Sequence, residues 1–86
     1  MQTVTLYGAE ITGRAALHAA IARQLDVPDW YGANLDALHD LLTERRPALR
    51  VVVLGREALR ESLGEDYYLR FLRALYDARV YVEVWE

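Results

Sequence analysis

Leu49-Arg50-Val51-Val52-Val53-Leu54, in the middle of the chain, decides the fold. Centred on Val51 to Leu54, it is a continuous apolar run and reads as a strand buried on both faces. Two alternating stretches flank it, one near each end of the chain. Thr3-Val4-Thr5-Leu6-Tyr7, closed by Gly8, has the period of a half-buried strand, and Val80-Tyr81-Val82-Glu83-Val84-Trp85 alternates strictly. Between the first two strands, Thr12 can cap a helix to about Leu25, with Leu17, Ala20, Ile21, Gln24 and Leu25 at helical spacing. Only Gln24 breaks that apolar stripe. Asp26-Val27-Pro28 ends the helix, because a residue before proline is pushed out of the α region.

A second helix runs from Ala33 or Asn34 to Thr43, with Asn34 as a cap and Pro47 in its exit loop. After the central strand, Arg56 to Leu63 makes a short helix closed by Gly64. Asp66 can cap a last helix to about Ala78, with a predicted buried stripe of Tyr68, Phe71, Leu72 and Leu75. The order is β-α-α-β-α-α-β. Two helices between successive strands give ample length for crossovers, so a three-stranded parallel sheet is the expected closure. Thr3, Thr5 and Tyr7 on one strand, with Tyr81, Glu83 and Trp85 on another, imply that one sheet face is only partly covered. The prediction is a two-layer α/β fold with about four helices, a single domain over residues 1–86. No internal repeat, linker or low-complexity segment interrupts it.

The 86 residues carry a net charge of −3, which hides an uneven distribution. From Asp26 to Glu44 there are five acids (Asp26, Asp29, Asp36, Asp40, Glu44) and no arginine; the remaining eight acids face ten arginines elsewhere. An acidic pole of this kind attracts a basic partner. It excludes nucleic acid, whose phosphates need a basic stripe. The 53% apolar content argues for a packed core over disorder. No cysteine is present, so no disulfide framework supports a secreted life, and a reducing cytoplasm is the expected location. The start Met-Gln-Thr-Val has neither a charged leader nor an apolar h-region, so no signal peptide is expected, and no apolar run is long enough to span a bilayer. All ten basic residues being Arg reads simply as genomic base composition.

On a helical wheel with Asp36 at zero, Asp40 lies at about 40° and Thr43 at about 340°; Leu41, Leu38, Leu42 and Leu35 fall between about 140° and 260°. The leucines face a core and the two Asp point away from it, with His39 on the shoulder. Like charges at this spacing cost a helix roughly 0.2–0.5 kcal/mol. A merely solvated face would more naturally carry a basic residue at one of these positions. Trp30-Tyr31 precede the helix. Two adjacent aromatics in an extended loop cannot both enter one core; they serve as binding anchors or as a lid over the core. Gly32 is expected to supply the turn.

The run Pro28-Asp29-Trp30-Tyr31-Gly32-Ala33-Asn34-Leu35-Asp36-Ala37-Leu38-His39-Asp40-Leu41-Leu42-Thr43 resembles the signature of the barstar family, intracellular bacterial inhibitors of barnase-type ribonucleases. Weaker similarity extends through Leu17-His18 and Ile21 to Leu25, and the second half matches in pattern. The resemblance implies inhibition by substrate mimicry in a 1:1 complex with a basic extracellular ribonuclease. Asp40 would then occupy a phosphate position, Asp36 would pair with a neighbouring arginine, and Trp30 would stack over the catalytic histidine. Asn34, Gly32 and Thr43 would support them. Carboxylates suit that task because they accept charge-assisted, often bidentate, arginine hydrogen bonds as phosphate does. The sequence departs from the family at His39, where an aromatic is usual, and at Glu44, where Gly often stands. From the last helix, Asp77 is the nearest match to the family's acid, and Arg73 competes for the slot.

Two other functions are open to such a chain. An enzyme would have to work without Cys or Lys and with one serine, Ser62. His18 and His39 lie on different helices and make a poor metal site, so neither metal nor cofactor is expected. His18 reads as a packing or surface residue. An adaptor or immunity protein that uses the same acidic helix against a different basic protein or toxin is the stronger alternative.

Overall fold

The computed structural model describes residues 1–28, 31–45 and 48–86. Its order is β1 (Gln2–Tyr7), α1 (Arg14–Gln24), α2 (Leu35–Arg45), β2 (Leu49–Leu54), α3 (Arg56–Leu63), α4 (Glu65–Asp77) and β3 (Tyr81–Trp85), with a short 3₁₀ turn over Gly8–Glu10. The strands form one parallel sheet in the order β1-β2-β3, in the register Val4↔Val51↔Val82 and Leu6↔Val53↔Val84. Helix crossovers between parallel neighbours produce this arrangement. Val4, Leu6, Val51 and Val53 point into a core completed by Leu17, Ile21, Leu38, Leu42, Phe71 and Leu75.

Several expectations change. β2 is buried on one face only: Leu49, Val51 and Val53 are buried, whereas Arg50 is exposed and Val52 and Leu54 are half-covered. The parallel register puts Thr3, Arg50 and Tyr81 in one row and Tyr7, Leu54 and Trp85 in another on this open face. The apolar run of β2 thus overstated its burial, because hydrophobicity records neighbours within the sheet as well as cover above it. Neither Thr12 nor Asp66 caps a helix. Gly13 and Gly64 hold those positions without side-chain hydrogen bonds. Asp66 instead lies in the first turn of α4, where the helix dipole favours an acid. The buried stripe of α4 adds Tyr67 and Ala74, and Leu72 is only partly covered.

Gln24, the polar break in the α1 stripe, closes the sheet edge. Its Nε2 donates to the Thr5 carbonyl at 2.8 Å, and its Oε1 accepts from the Thr5 N–H at 2.9 Å. The amide thereby stands in for a neighbouring strand and shields β1 from edge pairing. At the opposite end, β1 turns out over Gly8. A Cβ there would lie 2.1 Å from the Gly55 carbonyl oxygen, so only glycine admits this close approach.

Candidate functional site

The site begins with the entry to α2. Asn34 Oδ1 accepts from the Ala37 N–H at 2.8 Å, an N-cap that starts the helix one residue later, at Leu35. The turn before it is made by Ala33, whose φ of 53° lies in the left-handed region, and not by Gly32. Gly32 is exposed, and a Cβ on it would meet only the Asn34 side chain. An alanine in that conformation costs about 1–2 kcal/mol, so surrounding contacts must hold the loop. Replacing Asn34 by Ala is expected to destabilise the protein by about 1 kcal/mol, the usual worth of an N-cap, read as a lowered urea midpoint at constant m-value.

One of those contacts is His18. It is buried on α1; its Nδ1 lies 2.5 Å from the Tyr31 hydroxyl and its Nε2 2.8 Å from the Tyr67 hydroxyl of α4. A neutral imidazole offers one donor and one acceptor, so each ring nitrogen satisfies one phenol. Arg14 covers the other side of Tyr67, its guanidinium carbon 4.2 Å from the ring centroid. The loop is therefore tied through Tyr31 to two helices at once. Burial pushes the His18 pKa down and raises that of Tyr31 to about 12, the latter with a smaller repulsive contribution from Tyr67.

The sign for stability follows from that depression. Between the lowered folded pKa and the ordinary 6.5, the unfolded chain binds the extra proton, so stability is full above 6.5 and is lost as pH falls through this window. Urea titrations are expected to show that loss in the wild type. A His18→Gln variant should lose its share of the slope; an unchanged slope would remove His18 as its source.

Along α2 the wheel is realised. Leu38, Leu41 and Leu42 are buried and Leu35 is half-covered, while Asp36, Asp40, Thr43 and Glu44 are exposed. The Asp40 side chain is 75% accessible, and its approach to His39 Nδ1, at 3.9 Å, is too long and too exposed to bind it. Its carboxylate is available to a partner. Thr43 Oγ1 donates to the His39 carbonyl at 2.8 Å, which fixes its side chain on the helix. Asp36 and His39 face α4 across a shallow groove of about 350 Å³, lined also by Leu35, Arg70, Arg73, Ala74 and Asp77. Asp77 thus reaches the same groove as Asp36, with Arg73 3.7 Å from its carboxylate. Both residues that competed for the α4 position lie in the groove. Trp30 and Asp29 fall outside the described residues.

Sequence reasoning missed the tie that holds this surface. His18 and Tyr31 were both visible, but they are 13 positions apart and their partner Tyr67 was not assigned to the core. The only available signal was a histidine within the apolar α1 stripe. Among the described residues no cluster of acids and histidines is placed to hold a metal ion, and no helix is long and apolar enough to cross a membrane.

This arrangement of loop, acidic helix and three-stranded sheet can be compared with known proteins. The family model described as barstar (barnase inhibitor) matches residues 1–84. The chain belongs to the barstar family. The barstar match covers both the acidic loop-helix and the second half, where sequence alone gave only a pattern. A Bacillus subtilis (strain 168) protein named "Putative ribonuclease inhibitor YrdF" is 42% identical over 43 residues. That alignment takes in 50% of this chain and 47% of the relative, so the chain matches about half of that protein's length.

Proposed function

We propose that this chain is a non-catalytic inhibitor of a barnase-type ribonuclease, acting as a single binding domain that plugs the enzyme's active site with α2 and the loop before it. The observation that carries the reading is the exposed acidic face of α2, with Asp40 in no close ion pair among the described residues and Asp36 at the groove shared with Asp77. In this account Asp40 takes the place of a substrate phosphate and Asp36 and Asp77 pair with basic residues around it. Trp30 stacks on the catalytic histidine, and Gly32, Asn34, His39 and Thr43 complete the contact. Such an inhibitor protects the cell that makes the nuclease, so it works in the cytoplasm as an antitoxin, in a 1:1 complex. A second reading is an adaptor or immunity protein of the same fold that binds another basic protein. The groove's own charge favours it: Arg70 and Arg73 line the groove alongside the acids.

Association kinetics separate a steering acidic face from a merely solvated one. Charges lining complementary surfaces speed encounter, and at 0.15 M salt screening sets in beyond roughly 8 Å. The association rate with a barnase-type ribonuclease is therefore expected to fall at least about tenfold between low and high salt, while dissociation changes much less. A salt-independent association rate in stopped-flow would refute the role assigned to the acidic pole.

A further inference from the structure

The two edges of the sheet are treated differently. β1 is closed by Gln24, which bonds both backbone groups of Thr5. β3, at the other edge, receives no side-chain hydrogen bond to its backbone among the described residues. Tyr81-Val82-Glu83-Val84-Trp85 holds no Pro, no Lys and no bulge, and its one charge, Glu83, is paired with Arg50 at 3.2 Å. The core is incomplete beside it. Val82 and Val84 share a face with Val51 and Val53, yet they are half-covered where Val53 is fully buried. Next to Val84 runs a groove of about 390 Å³ whose apolar lining comes from Tyr68, Leu69, Leu72 and Tyr76 of α3's neighbour α4. Leu69 and Tyr76 are 56% and 60% exposed.

An open edge with an apolar groove on one side and an aromatic sheet face on the other has the form of a seat for an added strand. Its charges narrow what that strand can be. The acids and arginines around it are paired within the chain: Arg50 with Glu83 at 3.2 Å, Arg56 with Glu86 at 2.7 Å, and Arg60 with Glu57 at 2.6 Å. A compensated surface of this kind neither attracts a strongly charged segment nor repels its own copy, unlike the acidic α2 face. We infer that β3 pairs with β3 of a second copy, antiparallel about a two-fold axis, to make a continuous six-stranded sheet.

The pairing is self-complementary, as a two-fold interface requires. With Glu83 at the axis, Tyr81 lies across from Trp85 of the other copy, and Val82 across from Val84. Each Glu83 comes already neutralised by its own Arg50. Aromatic pairs across adjacent strands are favourable, and like charges there are not, which makes Arg50 a condition of the contact. The groove side brings the valines of one copy toward Leu69, Leu72 and Tyr76 of the other. None of the residues lining this groove lines the one that carries Asp36, Arg70, Arg73 and Asp77, so the pairing does not use the candidate inhibitory groove.

Sedimentation equilibrium of the full chain up to about 1 mM tests the proposal. The expected result is a monomer–dimer equilibrium. Leu69→Glu, at an exposed position that spares the core, should weaken it at least about tenfold, and Arg50→Gln should weaken it by leaving the two Glu83 side chains opposed. Asp36→Asn, on the far flank, should leave it unchanged. Circular dichroism would verify that each variant is folded. A strict monomer at the highest concentration overturns the inference. So does a dimer that Leu69→Glu leaves intact, or one that Asp36→Asn abolishes.

Discussion

Asp40→Ala is expected to weaken inhibition of a barnase-type ribonuclease by about 2–5 kcal/mol, a loss of roughly 30-fold to several thousand-fold in affinity. That is the usual range for truncating one member of a buried, hydrogen-bonded charge pair. Most of the penalty comes from the enzyme's arginine, which stays desolvated in the interface without its carboxylate. Folding should be spared. Asp40 is exposed, makes no strong contact among the described residues and lies on the face opposite Leu38, Leu41 and Leu42. Asp is also a poor helix former beside alanine, so the variant's melting temperature should hold or rise slightly. Isothermal titration together with thermal unfolding checks both parts. A variant that binds as tightly as wild type would show that the carboxylate is not the central anchor.

His18→Ala should act on stability and on binding together. The substitution removes the partner of two phenols, one buried and one half-buried, and leaves a cavity between α1, α4 and the loop. Each orphaned buried hydroxyl costs about 1–3 kcal/mol, part of it recovered by relaxation, so a total near 3 kcal/mol is expected. In a chain of this size that lowers the melting temperature by about 10 °C or more. With Tyr31 released, the binding loop is no longer held in its bound form, and dissociation from the ribonuclease should quicken while association barely changes. The contrast with Asp40→Ala is diagnostic. His18→Ala loses stability and residence time, whereas Asp40→Ala loses affinity alone. Unchanged stability in His18→Ala would mean that the two hydrogen bonds do not hold the loop.

The sequence carried the fold further than it carried the site. Strand and helix order, the parallel sheet and the leucine face of α2 follow from periodicity, because repeating patterns record which side of an element is buried. Single-residue roles did not follow in the same way. Thr12 and Asp66 have the right chemistry for caps, but the glycines immediately before α1 and α4 took the geometry. Gly32 looked like the turn and Ala33 adopts it, held by contacts from distant parts of the chain. Gln24 looked like a flaw in a stripe and is the lock on a sheet edge. Tyr67 stood beside a correctly chosen Tyr68 and was passed over. Each case turns on a contact between residues far apart in sequence, and a local pattern does not encode such contacts. The acidic pole is the exception, since charge sums without knowledge of contacts.

Competition with substrate tests the central claim most directly. Steady-state inhibition of a barnase-type ribonuclease by this chain, measured over a series of RNA concentrations, is expected to be stoichiometric at one inhibitor per enzyme, with an apparent inhibition constant that rises linearly with RNA concentration. A chain that fills the phosphate site with Asp40 must exclude the substrate. Inhibition that is independent of RNA concentration, or no inhibition by a folded chain, would contradict the account.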